Sequence, residues 1–310
     1  GGVEPFILLA VPLFIFAGEL LAQGGVGKRI VEFARVLFGW LPGGLGVVTV
    51  ISCTLFGGVS GSAIADTAAI GSLVIPAMVA RGYSRGFAGA LLAVAGTVAL
   101  LMPLSIPFLV YAFISGVSMR TLSMAGLLPA LATAVALIVM CMWHGKKTGV
   151  DNGEDRSTPA QIWAAAKDAG PALLMPLIII GGIWSGKFTP SESAAVAVFY
   201  GLAVSLFYYK DLSWRHIPQL MLNAFSTSAT VMLVIGATGA MAWLITVEQV
   251  AVQMADWIQV VATEQWMFLI LFNVCLLLLG IFIEPLPAML LSAPLFLPLA
   301  KHFDMDMVHI

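Results

Sequence analysis

The stretch Gly57-Gly58-Val59-Ser60-Gly61-Ser62 interrupts an apolar segment of the chain, and this interruption decides the fold class. The apolar residues before it run over Val47–Phe56, and they resume after it as Ala63–Met78. A helix needs roughly 20 apolar residues to cross a bilayer, so each arm is too short for a comfortable crossing. We therefore predict a re-entrant helical hairpin over residues 47–78, with its turn inside the membrane.

A second interrupted segment repeats the first one 222 positions later (275 − 53 = 222). Trp266–Ile283 meets Glu284-Pro285-Leu286-Pro287 and resumes as Ala288–Leu299. The same shift superposes Cys53 on Cys275, Gly58 on Gly280, Leu73 on Leu295 and Pro76 on Pro298. Paired short or broken segments at matching places in two halves are the best sequence indication of a transporter's binding site. We predict a second hairpin over residues 266–299 and a binding site at the two turns.

Composition places the chain in the membrane. It is 60% hydrophobic and 10% charged, whereas a soluble domain has about 25% charged residues. This predicts an all-α polytopic membrane protein, and the net charge of −2 gives no reason to expect nucleic-acid binding. Cys53, Cys141 and Cys275 lie in apolar runs, which favours buried thiols over a disulfide or a metal site. The chain begins Gly1-Gly2 without an initiator methionine, so we expect a fragment that lacks both ends.

The chain divides into two partial repeats around a polar linker at 144–160, which we expect in the cytoplasm. The first repeat, 1–143, contains a span at Pro5–Gln23, an amphipathic arm helix at Val26–Phe38, the hairpin, a broken helix at 86–116 and a span at 121–143. The second repeat, 161–310, contains a span through Ala172–Trp184 with its preceding turns, spans at Pro190–Tyr209 and Ile217–Ile245, an arm helix at 247–262 and the second hairpin. The arm helices are expected to lie flat in the membrane interface. Thr189 and Glu192 predict a capping box that opens the span at Pro190.

The two repeats are predicted to be inverted relative to each other. If the halves are equal, each holds five spans and one hairpin, and an odd number of spans inverts the second half. With Val26–Phe38 in the cytoplasm, three of the 14 Lys and Arg residues fall outside and eleven inside (14 − 3 = 11), as the positive-inside rule requires. The inner residues are Lys28, Arg29, Arg35, Arg81, Arg85, Lys146, Lys147, Arg156, Lys167, Lys210 and Arg215. Charge does not distinguish a half-depth hairpin from two full spans, because both return to the same side.

The first turn carries the strongest candidate binding residues. Hydroxyls of Ser60 and Ser62, with freed backbone carbonyls, are hard oxygen ligands suited to Na⁺, and the N-terminus of Ala63–Met78 suits an anionic substrate. The alternative is that Ser and Gly only allow close helix packing. Asp66, one turn into the second arm, is either a functional intramembrane carboxylate or an acid favoured by the helix dipole.

Two further segments of the sequence contain candidate binding residues. Met102-Pro103-Leu104-Ser105 breaks the following span, and its freed carbonyls, with Gly96 and Thr97 nearby, would complete a cation site. The alternative is a proline kink without a ligand role. Glu284 at the second turn would line the cavity or cap backbone amides. Because no Walker lysine motif and no Ser-His-Asp arrangement occurs, we expect no enzyme activity, and transport energy must come from an ion gradient or a partner.

The chain resembles the large membrane subunit, the DctM-like permease, of TRAP (tripartite ATP-independent periplasmic) transporters. The resemblance rests on motifs that follow one another in the family's order: Leu41-Pro42-Gly43-Gly44-Leu45, Phe56–Ala63, Ile75–Met78, Arg81–Ser84, Gly186–Ala195 and Gly280–Pro285. It covers essentially the whole chain. The family has a second proline where this chain has Leu104, and its later Thr-Pro-Pro motif would fall past residue 310.

This resemblance implies a Na⁺-coupled elevator transporter that imports an organic acid, a C4-dicarboxylate or similar carboxylate, across the bacterial inner membrane. It implies a small four-helix membrane subunit (DctQ-like) and a periplasmic substrate-binding protein (DctP-like) as partners, Na⁺ as the coupling ion and no organic cofactor. The candidate substrate-binding residues are Ser60, Gly61, Ser62, Ala63, Glu284, Pro285 and Pro287. The candidate Na⁺ ligands are Ser60, Ser62, Asp66, Gly96, Thr97, Pro103 and Ser105. A binding-protein-independent carboxylate transporter and an uncoupled channel or structural membrane subunit are the alternatives.

Overall fold

The computed structural model describes residues 6–103, 105–248 and 264–309, and every regular element in these ranges is a helix. The α-helices are α1 Phe6–Gln23, α2 Val26–Phe38, α3 Gly44–Ser60, α4 Ala63–Ala80, α5 Arg85–Leu101, α6 Ile106–Ser115, α7 Met119–Thr148, α8 Pro159–Trp184, α9 Pro190–Ala203, α10 Ile217–Val247, α11 Gln265–Phe282 and α12 Pro285–His302, and a short π-helix, Val204–Tyr208, continues α9. Within the described ranges, six helices are long and apolar enough to cross a membrane, or up to eight if each bent pair counts as one span. The predicted all-α polytopic membrane fold is confirmed.

The chain folds into two compact units. The described residues within 1–109 and 119–225 form one unit, and those within 110–118 and 226–310 form the other. In the first unit, α3 packs against α2, α4, α5 and α7, and α1 packs against α9. The second unit has its own core, in which aromatic rings of α11 and α12 pack together: Phe268, Phe272 and Phe296, with Leu299 and Met305. The division into two inverted repeats stays a prediction.

The first hairpin has longer arms and a shorter turn than the sequence predicted. The expectation that the first arm stops at Phe56 was wrong, because α3 continues as a helix to Ser60. Gly61, in the left-handed conformation at φ 59°, ends α3 by donating its N–H to the carbonyl of Gly57 at 3.1 Å. Ser62 then caps α4 by accepting from the amide of Ala65. The turn therefore consists of Gly61 and Ser62 alone.

The second hairpin also has a longer arm and a shorter turn than the sequence predicted. Its second arm, α12, begins at Pro285 rather than at the predicted Ala288, so only Ile283 and Glu284 separate it from α11. Proline is well tolerated in a first helical turn, where its missing N–H would have had no helical partner. The helix ends keep the 222-residue shift found in the sequence: 282 − 60, 285 − 63 and 302 − 80 all equal 222.

Arm length does not by itself show that either hairpin is re-entrant. The premise that every arm is too short to cross was wrong for α4 and α11, which have 18 residues each and pass as possible spans by length and hydropathy. The arms Gly44–Gly58 and Pro285–Lys301 are shorter apolar helices. How deeply the turns enter a bilayer stays a prediction.

The broken helix, the arm helix α2 and the capping box lie where the sequence predicted them, but the connection between α7 and α8 is shorter than predicted. The axes of α5 and α6 differ in direction by 42° across a break that contains Pro103, and the arm helix α2 has the predicted bounds. Thr189 and Glu192 form the predicted capping box. Helix α7 continues to Thr148, so the non-helical connection is 149–158 rather than the predicted linker 144–160. The predicted arm helix at 247–262 lies almost wholly outside the described residues.

Candidate functional site

The turn of the first hairpin contains a buried hydroxyl–carboxylate pair. The Ser60 hydroxyl, at the end of α3, donates a hydrogen bond to Oδ1 of Asp66 in the first turns of α4. Ser60 is 2% exposed and Asp66 is 0% exposed. The other carboxylate oxygen, Oδ2, is buried and has no hydrogen-bond partner among the described residues. Buried polar atoms are nearly always paired. An unpaired buried carboxylate oxygen such as Oδ2 is therefore available as a ligand for a bound ion.

Two helix ends of opposite polarity meet at this pair. The C-terminus of α3 carries a partial negative charge and the N-terminus of α4 a partial positive one. A cation is therefore favoured on the α3 side, where Asp66 adds a carboxylate, and an anion is favoured at the free amides of α4. Ser62 is half-buried, and its oxygen accepts from the Ala65 amide at 3.3 Å, so it serves first as the cap of α4.

Small residues let neighbouring helices approach the pair closely. A Cβ built on Gly57 would lie 2.6 Å from Cα of Ala99 on α5 and 2.9 Å from Oδ2 of Asp66. A Cβ built on Gly18 of α1 would lie 3.4 Å from the carbonyl oxygen of Ser60. Neither Gly57 nor Gly18 was predicted from the sequence to be a site of close helix contact. Small residues are enriched where helices approach closely in membranes.

The structure brings the break between α5 and α6 to the turn. The Ile106 amide donates to the Gly61 carbonyl at 3.5 Å, and Ser105 is fully buried. The carbonyl freed at Pro103 accepts a hydrogen bond from Ser123 of α7 at 2.8 Å. Ser123 is a residue that sequence reasoning missed; its signal was a hydroxyl inside an apolar helix.

Two other candidate residues of the first repeat, Gly96 and Thr97, face different surroundings. A Cβ built on Gly96 would lie 3.4 Å from the Ala63 carbonyl, so this glycine faces the start of α4. The Thr97 side chain is exposed and donates to the Val94 carbonyl of its own helix. Among the described residues, the structure therefore brings Ser60, Gly61 and Asp66 together, and Ile106, just after the break, is bonded to Gly61. Gly96 faces the start of α4, whereas the Thr97 hydroxyl is bonded within its own helix.

An open cavity begins beside the turn and runs along α4 and α5. It has a volume of about 710 Å³, and its wall includes Ala63, Thr67 and Ser72 of α4 and Leu92 and Ala93 of α5. The wall is mainly apolar with two hydroxyl-bearing residues. Such a cavity is within the size range of small-molecule sites.

The turn of the second hairpin belongs to the second unit. Glu284 and Pro285 are exposed, and Pro287 is half-buried. Glu284 precedes α12, but its side chain makes no capping hydrogen bond to that helix within the described residues. The capping role considered for Glu284 is thus not found, and its role at a binding cavity stays a prediction.

Comparisons with known proteins identify the relatives of the chain. Residues 1–310 match the family described as tripartite ATP-independent periplasmic transporter, DctM component. The C4-dicarboxylate TRAP transporter large permease protein DctM of Rhodobacter capsulatus is 36% identical over 322 residues, which cover 99% of this chain and 73% of the relative. The sialic acid TRAP transporter large permease protein SiaM of Vibrio cholerae is 37% identical over 309 residues, covering 100% of this chain and 72% of the relative.

A third relative is considerably longer than this chain. The isethionate TRAP transporter permease protein DctMQ of Oleidesulfovibrio alaskensis is 37% identical over 308 residues, covering 99% of this chain and 48% of the relative. The chain therefore spans about half of that relative and less than three quarters of the other two.

Proposed function

The chain belongs to the DctM-component family of tripartite ATP-independent periplasmic transporters, and we propose that it is part of the large permease of a Na⁺-coupled organic-acid importer. The observation that carries the proposal is the buried pair of Ser60, at the end of α3, and Asp66 of α4, whose Oδ2 has no hydrogen-bond partner in the part of the chain that the structure describes. A carboxylate, a hydroxyl and helix-terminal carbonyls are hard oxygen donors, which suit a small hard cation. Named relatives are permeases, which supports a transport role over an enzymatic one.

The substrate is proposed to be an organic anion. The relatives' names specify C4-dicarboxylate, sialic acid and isethionate, so the family accepts different acids. The positive end of α4 favours an anionic group, and the adjoining cavity of about 710 Å³ has room for a small organic acid. Because backbone amides recognise negative charge rather than a carbon skeleton, we propose the class of substrate, with a C4-dicarboxylate as the first candidate.

The resemblance also supports the proposed partners, location and movement. We propose that the permease lies in the bacterial inner membrane with a small four-helix subunit and receives substrate from a periplasmic binding protein. In the elevator mechanism that the resemblance implies, a hairpin-bearing transport domain moves against a scaffold that includes the amphipathic arm helices.

Reconstitution tests this function. The full-length permease, its small subunit and its binding protein are placed in proteoliposomes, and uptake of labelled organic acids is measured with and without an inward Na⁺ gradient. We expect uptake that requires both the gradient and the binding protein. Flux that survives collapse of the gradient would indicate a channel. Uptake without the binding protein would indicate a binding-protein-independent carboxylate transporter.

Ser60→Ala is expected to weaken Na⁺ coupling. A contact between the Ser60 oxygen and a bound cation is comparable to a hydrogen bond to a charged group and contributes about 1.5 kcal/mol, so the loss of this oxygen ligand should raise the half-saturating Na⁺ concentration roughly tenfold. The control is Thr54→Val, because the Thr54 hydroxyl is bonded to the Val50 carbonyl of the same helix. Na⁺ titration of uptake distinguishes the two variants. Equal Na⁺ dependence in wild type and Ser60→Ala would remove Ser60 from the cation site.

A further inference from the structure

The non-helical connection 149–158 returns to the open end of the first hairpin. We call this end the hairpin base: the start of α3 at Gly43–Leu45 and the end of α4 at Arg81. Asp151 of the connection reaches both parts of the base, and its side chain is only 1% exposed. From the sequence, Asp151 was predicted only to lie in the polar linker at 144–160, without a role of its own. Its contacts indicate a structural link between distant parts of the chain.

Asp151 supplies the N-terminal cap of α3. The first amides of a helix have no partners within it, and α3 follows Gly43, which has no side chain to cap them. The Leu45 amide donates to Oδ2 of Asp151 at 2.7 Å, and the Gly43 amide donates to the Asp151 carbonyl oxygen at 2.8 Å. A carboxylate is also favoured at this positive end of the helix dipole.

The same carboxylate holds the end of α4. Arg81, which directly follows α4, donates from Nη1 to Oδ1 of Asp151 at 2.9 Å, and this hydrogen bond raises the pKa of Arg81. The Tyr83 hydroxyl lies 3.4 Å from Oδ2 of Asp151. Arg81 is also paired with Glu154, which contacts Arg35 of the arm helix α2 at 3.1 Å. One buried carboxylate thus joins both arms of the hairpin.

We propose that Asp151 is a positioning residue that clamps the hairpin base and thereby fixes the location of the turn at Ser60–Asp66. Each arm is about 25 Å long at 1.5 Å per residue, so tilting the arms by about 5° about an unclamped base would move the turn by about 2 Å. Binding geometry tolerates only about 0.5 Å. The transport part of this proposal rests on the proposed function, whereas the clamp itself does not.

Hydrogen exchange of the full-length permease in nanodiscs tests the clamp directly. Asp151 has φ 54°, which glycine and asparagine tolerate, so Asp151→Gly removes the carboxylate without opposing the backbone conformation. We expect peptides covering 44–47 to exchange at least about tenfold faster in Asp151→Gly. Asp151→Asn keeps an acceptor for Leu45 but loses the charge that pairs with Arg81. It should retain protection at 44–47 and lose it around 81–83.

Asp155→Gly is the matched control, since Asp155 is an exposed carboxylate of the same connection. Unchanged exchange at 44–47 in Asp151→Gly would overturn the clamp, as would an equal effect in Asp155→Gly. If Asp151→Gly does not yield folded protein, the test of the clamp relies on Asp151→Asn. Unchanged hydrogen exchange at 81–83 in Asp151→Asn would then overturn the clamp.

A Na⁺ titration of uptake tests whether the clamp positions the turn. We expect Asp151→Gly to raise the half-saturating Na⁺ concentration severalfold while uptake per folded protein at saturating Na⁺ changes less than about twofold. A merely structural residue would lower the amount of folded protein without shifting the half-saturating concentration, and that result would overturn positioning. If wild-type uptake proves independent of Na⁺, the proposed function fails while the exchange result still decides the clamp.

Discussion

Asp66→Ala is expected to abolish Na⁺-driven uptake at Na⁺ concentrations that saturate the wild type. The carboxylate is 0% exposed, bonded to Ser60 through Oδ1, and unpaired at Oδ2 among the described residues. An interaction with a charged group contributes up to about 3 kcal/mol, so its loss should raise the half-saturating Na⁺ concentration roughly 100-fold. Na⁺ titration of uptake by the reconstituted transporter measures this shift.

Asp66→Asn separates the two interpretations of this carboxylate. Asparagine can still accept the Ser60 hydrogen bond but carries no charge. If Asp66 only complements the dipole of α4, the variant should lose about 0.3–1 kcal/mol of stability and keep its Na⁺ dependence. If Asp66 is a cation ligand, the variant should resemble Asp66→Ala. Asp155→Asn, at an exposed carboxylate, is the control and should retain wild-type Na⁺ dependence.

Gly57→Ala is expected to destabilise the protein and to disturb the same site. The added Cβ would lie 2.6 Å from the backbone Cα of Ala99, and backbone cannot move aside as a flexible side chain can. Overpacking of this kind typically costs about 1–3 kcal/mol. We expect a lower melting temperature of the purified permease. We also expect weaker Na⁺ dependence of uptake, because the same Cβ would lie 2.9 Å from Oδ2 of Asp66.

The control for this substitution is Gly89→Ala in α5. In the part of the chain that the structure describes, no heavy atom outside the local helix backbone lies within 4 Å of a Cβ built on Gly89. Since alanine is favoured over glycine inside a helix by about 1 kcal/mol, this variant should melt at the wild-type temperature or above it. Equal melting temperatures for Gly57→Ala and Gly89→Ala would show that α3 and α5 are not tightly packed at Gly57.

The sequence predicted those parts of the fold that depend on local chemistry. The arm helix α2, the capping box at Thr189 and the break at Pro103 each follow from residues within one or two turns of one another. The stop at Phe56 was predicted wrongly because Gly57 and Gly58 are poor helix formers in isolation. In the folded protein, close packing of Gly57 against Ala99 makes the helical conformation favourable there.

The residues of the candidate site were predicted from the sequence, but most of the contacts between them were not. Ser60 and Asp66 were named separately, and the structure pairs them across the turn. The contacts of Pro103 with Ser123 and of Asp151 with Leu45 join residues 20 and 106 positions apart. Such pairs depend on how the helices pack in three dimensions, so local sequence patterns do not predict them.

Na⁺-specific stabilisation of the permease tests the central claim most directly, because it needs neither substrate nor partner proteins. A ligand that binds only the folded protein raises its stability by RT ln(1 + [L]/Kd). The melting temperatures of wild type and Asp66→Ala would be compared in Na⁺ and in K⁺ at equal ionic strength. We predict that Na⁺ raises the melting temperature of the wild type and not that of Asp66→Ala. Equal shifts in both proteins, or none in the wild type, would contradict cation binding at the first hairpin turn.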